Sequence, residues 1–142
     1  MKTKRAKVLL VDDHPIVRRG LAQMINQEMD LIICGEAEST QEALEVIELQ
    51  KPNIALVDLS LKDDSGLELI KDIKARFPEV LTLVLSMHDE VFYAERVLRA
   101  GAKGYIMKQR ATNQVLVAIR RVLAGEIYLS AALSSKALHA IT

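Results

Sequence analysis

Five short apolar runs, each followed by a longer stretch of helical spacing, constrain this chain more than any other feature. Val8–Val11, Leu31–Cys34, Ile54–Val57, Leu81–Leu85 and Gly104–Met107 are rich in Val, Ile and Leu. Runs this short, with almost no polar alternation, read as strands buried on both faces, which is the pattern of a parallel sheet. Between them, apolar residues recur every three or four positions, as one face of a helix requires. They are Ile16, Leu21, Met24 and Ile25; then Ala43, Leu44 and Ile47; then Leu67, Ile70 and Ile73. Val91, Ala94, Val97 and Leu98 mark a fourth helix, and Val115, Leu116, Ile119, Val122 and Leu123 a fifth.

Local punctuation agrees with these boundaries. Pro15 suits the first turn of a helix, where its missing N–H has no partner to lose. Ser39 followed by Glu42 is a capping-box pattern. Pro78 follows the third helix, and Gly101 and Gly125 stand where left-handed helix caps belong. Successive βα units with short connections predict an α/β fold with right-handed crossovers and helices on both faces of the sheet. The expected architecture is a doubly wound five-stranded parallel sheet, flavodoxin-like, of order 2-1-3-4-5. At 142 residues the chain suits one ordinary domain.

Composition removes several classes of function. Nineteen basic and nineteen acidic residues cancel, so no basic field points to nucleic acid. Aromatics are 4% with no Trp, too few for base-stacking platforms. The single cysteine, Cys34, excludes an internal disulfide framework and a Cys-rich zinc site. The basic start is followed by too short an apolar run for a secretory signal, and no stretch is long enough for a membrane-spanning helix. A cytoplasmic location is expected.

In a doubly wound sheet the functional crevice lies beyond the carboxyl ends of the strands. There the first strand ends in Asp12-Asp13, the third in Asp58 and the fourth in Ser86, and Lys108 follows the fifth. Crowded carboxylates repel and need a counter-charge. A hard divalent cation such as Mg²⁺ supplies one while keeping waters and a phosphate oxygen in its shell. With a lysine and a short hydroxyl at the same rim, the set describes phosphoryl transfer to a carboxylate side chain. No Walker A loop occurs in the sequence.

The segments Val11-Asp12-Asp13-His14-Pro15, Val57-Asp58-Leu59-Ser60-Leu61, Leu85-Ser86-Met87-His88 and Gly101-Ala102-Lys103-Gly104-Tyr105-Ile106-Met107-Lys108 resemble the receiver domain of bacterial two-component response regulators. Arg18, Gly20 and the closing Gly125-x-x-Tyr128-Leu129-Ser130 resemble the subfamily whose output is a LuxR-type helix-turn-helix domain. The resemblance covers about residues 7–130. It implies a phosphorylation-activated switch rather than an enzyme, with only self-directed phosphoryl transfer and slow self-dephosphorylation. Asp58 is then the phosphoacceptor, charged by a histidine kinase. Asp13, Asp58 and the backbone carbonyl of Ser60 hold Mg²⁺, with Asp12 acting through water. Lys108 and Ser86 contact the phosphoryl group. Ser86 and Tyr105 are the switch pair, Tyr105 turning inward and remodelling the face of helix 4, strand 5 and helix 5. Ser60 and His88 modulate the lifetime of the phosphoryl group. Lys62, where the family often has Pro, and Gln109, where it often has Pro or Asp, depart from the pattern.

The remaining residues have plainer readings. Asp63 and Asp64 are a solvated loop. His14 begins the first helix beside the acidic site with a local rather than a ligand role, and His139 has no nameable partner. Cys34 is a small core hydrophobe. Arg18-Arg19 and Arg120-Arg121 are solvated helix faces or a partner surface. Tyr105 at rest is a half-buried residue filling the sheet edge. Residues 1–125 form the receiver domain. Residues 126–142, where Leu133, Ala137 and Ile141 keep helical spacing, form a linker or short helix toward a missing DNA-binding domain. This chain alone is expected not to bind DNA or membrane, and a homodimer is possible. Two alternatives stay open: a stand-alone receiver module acting by phosphotransfer or docking, and a small hydrolase or nucleotide-binding enzyme on the same sheet.

Overall fold

The apolar runs form strands and the stretches between them form helices. The computed structural model describes residues 4–61, 65–87, 91–108 and 111–129. In chain order the elements are β1 (Ala6–Val11), α1 (Pro15–Asn26), β2 (Leu31–Ala37), α2 (Thr40–Gln50), β3 (Ile54–Asp58), α3 (Gly66–Arg76), β4 (Leu81–Ser86), α4 (Val91–Ala100), β5 (Tyr105–Met107) and α5 (Ala111–Leu123). All pairings are parallel, and the sheet order is β2-β1-β3-β4-β5, as the sequence predicted.

Successive strand residues point to opposite faces, so each strand feeds two apolar layers. Leu9, Val11, Ala55, Val57 and Val84 meet Ala43 and Ile47 of α2, Ile70 and Ile73 of α3, and Ala94 and Val97 of α4. Val8, Leu10, Leu56, Leu83 and Ile106 meet Leu21 and Ile25 of α1 and Val115, Ile119 and Val122 of α5. Burying each large aliphatic side chain contributes about 1.5–3 kcal/mol, which is why these runs carry almost no polar residue.

Helix ends follow the expected chemistry, with two additions. Pro15 opens α1. Ser39 Oγ accepts the Glu42 amide at 3.2 Å. Ser65 caps α3 in the same way, accepting the Glu68 amide at 3.2 Å. Gly101 and Gly125 have positive φ, and so does Lys51 (φ 51°), which ends α2 without a glycine.

β2 is longer than its apolar run. Pairing with β1 steps from Ile33 to Gly35, leaving Cys34 as the extra residue of a bulge, and then continues to Ala37. The edge position leaves β2 half-exposed, and this explains why Gly35 and Glu36 are tolerated there. Cys34 is accordingly half-buried against the core, and burial pushes its thiol pKa up.

The described segment after α5 adds one contact to the sheet. It returns to the open edge of β5, where the Tyr105 amide donates to the Tyr128 carbonyl at 3.0 Å. The Tyr128 amide donates to the Lys103 carbonyl at 2.9 Å. This isolated parallel bridge, Gly104 to Tyr128, covers part of an exposed edge. Ser130, Leu133, Ala137, His139 and Ile141 lie outside the described residues. No helix among the described residues is long and apolar enough to cross a membrane.

Candidate functional site

The sheet order reverses between β1 and β3, and the carboxyl ends of these strands bring the acidic residues together. Asp12 follows β1 and is 2% exposed; Asp58 ends β3 and is fully buried. Lys108 arrives from the end of β5 with its side chain 8% exposed. Its Nζ lies 2.9 Å from Asp58 Oδ2 and 3.1 Å from Asp12 Oδ2. Backbone amides hold the other oxygens: Ser60 N–H donates to Asp58 Oδ1 at 3.0 Å, and His14 N–H to Asp12 Oδ1 at 2.7 Å. Asp13, with its side chain 12% exposed, stands at the mouth.

Burial alone lowers the pKa of the Lys108 ammonium. The hydrogen bond and charge of Asp58, followed by those of Asp12, outweigh it and the net shift is upward. Among the described residues, one ammonium therefore stands against the three carboxylates of Asp12, Asp13 and Asp58, leaving the pocket short of positive charge. Ligand atoms from Asp12, Asp13, His14 and Asp58 lie within 4.8 Å of one another. Converging carboxylate oxygens with an unbalanced negative charge are a donor set that fits Mg²⁺.

The remaining residues divide between agreement and correction. Ser86, at the end of β4, is fully buried and pairs in register with Met107. Tyr105 is not half-buried but 1% exposed, sharing the core with Ala94, Val97 and Ala102. His88, Lys62, Asp63, Asp64 and Gln109 lie outside the described residues.

One arginine corrects the sequence reading more sharply, whereas Arg19, Arg120 and Arg121 are exposed as it expected. Arg18 is not a solvated residue: its side chain is 13% exposed and bridges α1 to β2. It donates to Glu36 at 2.8 Å, to Glu38 at 3.1 Å and to the Asp12 backbone carbonyl at 2.6 Å. Arg120 likewise ties α5 to the turn before β2, through Glu28 at 2.6 Å and Asp30 at 2.9 Å. Arg18 thus clamps the backbone of the acidic turn. Arg18→Ala is expected to cost about 1.5–3 kcal/mol, the range for a hydrogen bond to a charged group. Urea denaturation checks this.

His14 begins α1 beside the acidic site, where the sequence places it. The ring is 57% exposed, yet its Nδ1 lies 3.0 Å from Asp12 Oδ1, 3.2 Å from Asp13 Oδ1 and 3.5 Å from Asp58 Oδ2. The same nitrogen is 3.0 Å from Lys108 Nζ. The sequence signal was present, since the residue directly follows the acidic pair, but nothing in it fixed the ring's direction.

Comparison with known proteins places this geometry in a family. Residues 8–120 match the response regulator receiver domain. The chain is 37% identical over 129 residues to the transcriptional activator protein ExaE of Pseudomonas putida, covering 91% of this chain and 60% of that protein. It is 37% identical over 130 residues to the oxygen regulatory protein NreC of Staphylococcus haemolyticus, again covering 91% and 60%. The chain thus spans about 60% of the length of these curated relatives. Among solved structures, a LuxR-family two-component response regulator from Aurantimonas sp. SI85-9A1 superposes with a TM-score of 0.88 at 29% identity, covering 96% of this chain and 97% of that one. The isolated receiver domain of RcsB from Salmonella enterica serovar Typhimurium, in its apo form, gives 0.84 at 27% identity, covering 92% and 97%. A buried aspartate paired with a lysine beside an acidic turn, at the switch point of a 2-1-3-4-5 sheet, therefore has its family: the chain belongs to the response regulator receiver domains.

Proposed function

We propose that Asp58 accepts a phosphoryl group from a histidine kinase and that the chain is the phosphorylation-dependent switch of a LuxR-type transcriptional regulator. One observation carries this reading: Asp58 is fully buried, yet its carboxylate is ion-paired to Lys108 at the open end of the crevice beside Asp12 and Asp13. A carboxylate oxygen of Asp58 attacks phosphorus, the phosphorus–nitrogen bond to the kinase imidazole breaks, and the imidazole takes a proton. Asp13, Asp58 and the Ser60 carbonyl would hold Mg²⁺, with Asp12 acting through water. When bound, Mg²⁺ neutralises the oxygens of the transferring group.

Lys108 is already positioned by two carboxylates and takes the new phosphoryl oxygen as Asp58 loses its negative charge. Ser86 contacts the phosphoryl group from β4, and Tyr105 is the second member of the switch pair. Its buried resting position is consistent with communication through the α4–β5–α5 side of the fold. Ser60 and His88 tune how long the phosphoryl group survives. Residues 1–125 act as the receiver and 126–142 lead toward a C-terminal helix-turn-helix domain. The span of the curated relatives beyond this chain supports that domain plan. A zero net charge gives this chain no electrostatic grip of its own on DNA, and pairing with a second copy is the expected route to the output. The protein works in the cytoplasm.

Intact mass after incubation with Mg²⁺ and acetyl phosphate tests the central step. One labile adduct of about 80 Da, a single phosphoryl group, is expected on the wild type and not on Asp58→Ala. An adduct of equal yield on the variant moves the acceptor elsewhere. No adduct on either protein, with no response to beryllofluoride, makes the domain a constitutive docking module.

A further inference from the structure

His14 brings a nitrogen into the acidic cluster. A single ring nitrogen faces carboxylate oxygens of Asp12, Asp13 and Asp58 at 3.0, 3.2 and 3.5 Å, and the Lys108 ammonium at 3.0 Å. Ligand atoms of Asp12, Asp13, His14 and Asp58 all lie within 4.8 Å of one another, close enough for one cation to be reached by each. Adjacent donors in a six-coordinate shell with bonds of about 2.1 Å lie about 3 Å apart. The separations from Nδ1 to the carboxylates already approach that spacing. The backbone fixes His14 beside the carboxylates, since it is the N-cap of α1 and its amide is bonded to Asp12.

We propose that His14 is a further protein ligand of the cation site, through Nδ1. It biases the site toward divalent transition-metal ions that accept imidazole, such as Mn²⁺ and Co²⁺, relative to Mg²⁺. The inference rests on the acidic pocket being the cation site described above. Its chemical basis is that Mg²⁺ takes oxygen donors and gains little from an imidazole, whereas the transition ions bind nitrogen well. A receiver with this residue would load a different ion when Mn²⁺ or Co²⁺ is available, without any change in its three aspartates.

The test uses the metals alone. Pulsed electron paramagnetic resonance of the Mn²⁺ complex should show modulation from a directly bound nitrogen, and His14→Ala should lose it. By calorimetry, the Co²⁺-to-Mg²⁺ affinity ratio should fall at least about tenfold in the variant, the lower end of the effects that changes around a metal site produce. Mn²⁺ binding that is abolished by Asp13→Asn but shows no nitrogen modulation, or an unchanged ratio in His14→Ala, overturns the role of His14 and leaves the acidic site intact. Tighter binding of all three ions to His14→Ala also overturns it, because the ring would then be a plug displaced by metal. Binding indifferent to Asp13→Asn overturns the acidic site itself, and the proposal with it.

Discussion

Gly66→Ala should destabilise the fold by about 3 kcal/mol, the upper part of the usual range for overpacking, and should lower phosphoryl uptake at Asp58. A Cβ at this position would lie 2.5 Å from the Asp58 carbonyl oxygen, 2.8 Å from Leu59 Cα and 3.0 Å from the Leu59 carbonyl oxygen. All three are backbone atoms, so no flexible side-chain tip can move aside. Either the start of α3 retreats from the sheet or the chain after β3 shifts, and Asp58 and Ser60 lie on that chain. Urea denaturation and intact mass after acetyl phosphate measure the two effects. Gly20→Ala is the matching control. It lies inside α1 with nothing within 4 Å of its Cβ, and should be neutral or stabilising by up to about 1 kcal/mol. Equal behaviour of the two variants would remove the close approach of α3 to β3 as a constraint.

The strand order was legible because each central strand is buried on both faces and therefore carries a nearly unbroken apolar run. β2 was shortened in the reading because it is an edge strand, where the bulge at Cys34 and the polar Glu36 interrupt the signal. The acidic pair, Asp58, Ser86 and Lys108 were legible because strand ends converge in this topology whatever the loops do. Gly66 was not, since its constraint comes from backbone brought in by the turn from β3 and leaves no pattern in the sequence. Arg18 failed for a related reason. A charged residue at a helix start has solvent as its default partner, and only the fold reveals that Glu36 and Glu38 stand opposite. The return of residues 126–129 to β5 rests on main-chain hydrogen bonds over too few residues to show periodicity.

Lys108→Met tests the charge balance of the site most directly. Its ammonium is paired with two carboxylates that are 2% and 0% exposed, and the replacement keeps the length of the stem while removing the charge. Breaking a buried pair from one side typically costs about 3–5 kcal/mol, because the surviving charges stay buried without a partner. The expected result is a loss of that order in chelator, measured by urea denaturation. Mg²⁺ should recover more stability in the variant than in the wild type, since a divalent ion then supplies the missing counter-charge. At one hundred times its dissociation constant, an ion that binds only the folded state contributes about 2.7 kcal/mol. The pH dependence has a definite sign. The folded-state pKa of Lys108 is raised above the ordinary lysine value of 10.5, so its contribution is fully present below that value and disappears as pH rises through the higher folded one. Wild-type stability should therefore decline through this alkaline window by an increment that Lys108→Met lacks. A variant as stable as wild type in chelator, with the same alkaline decline, would mean that the buried aspartates are neutralised by something other than Lys108.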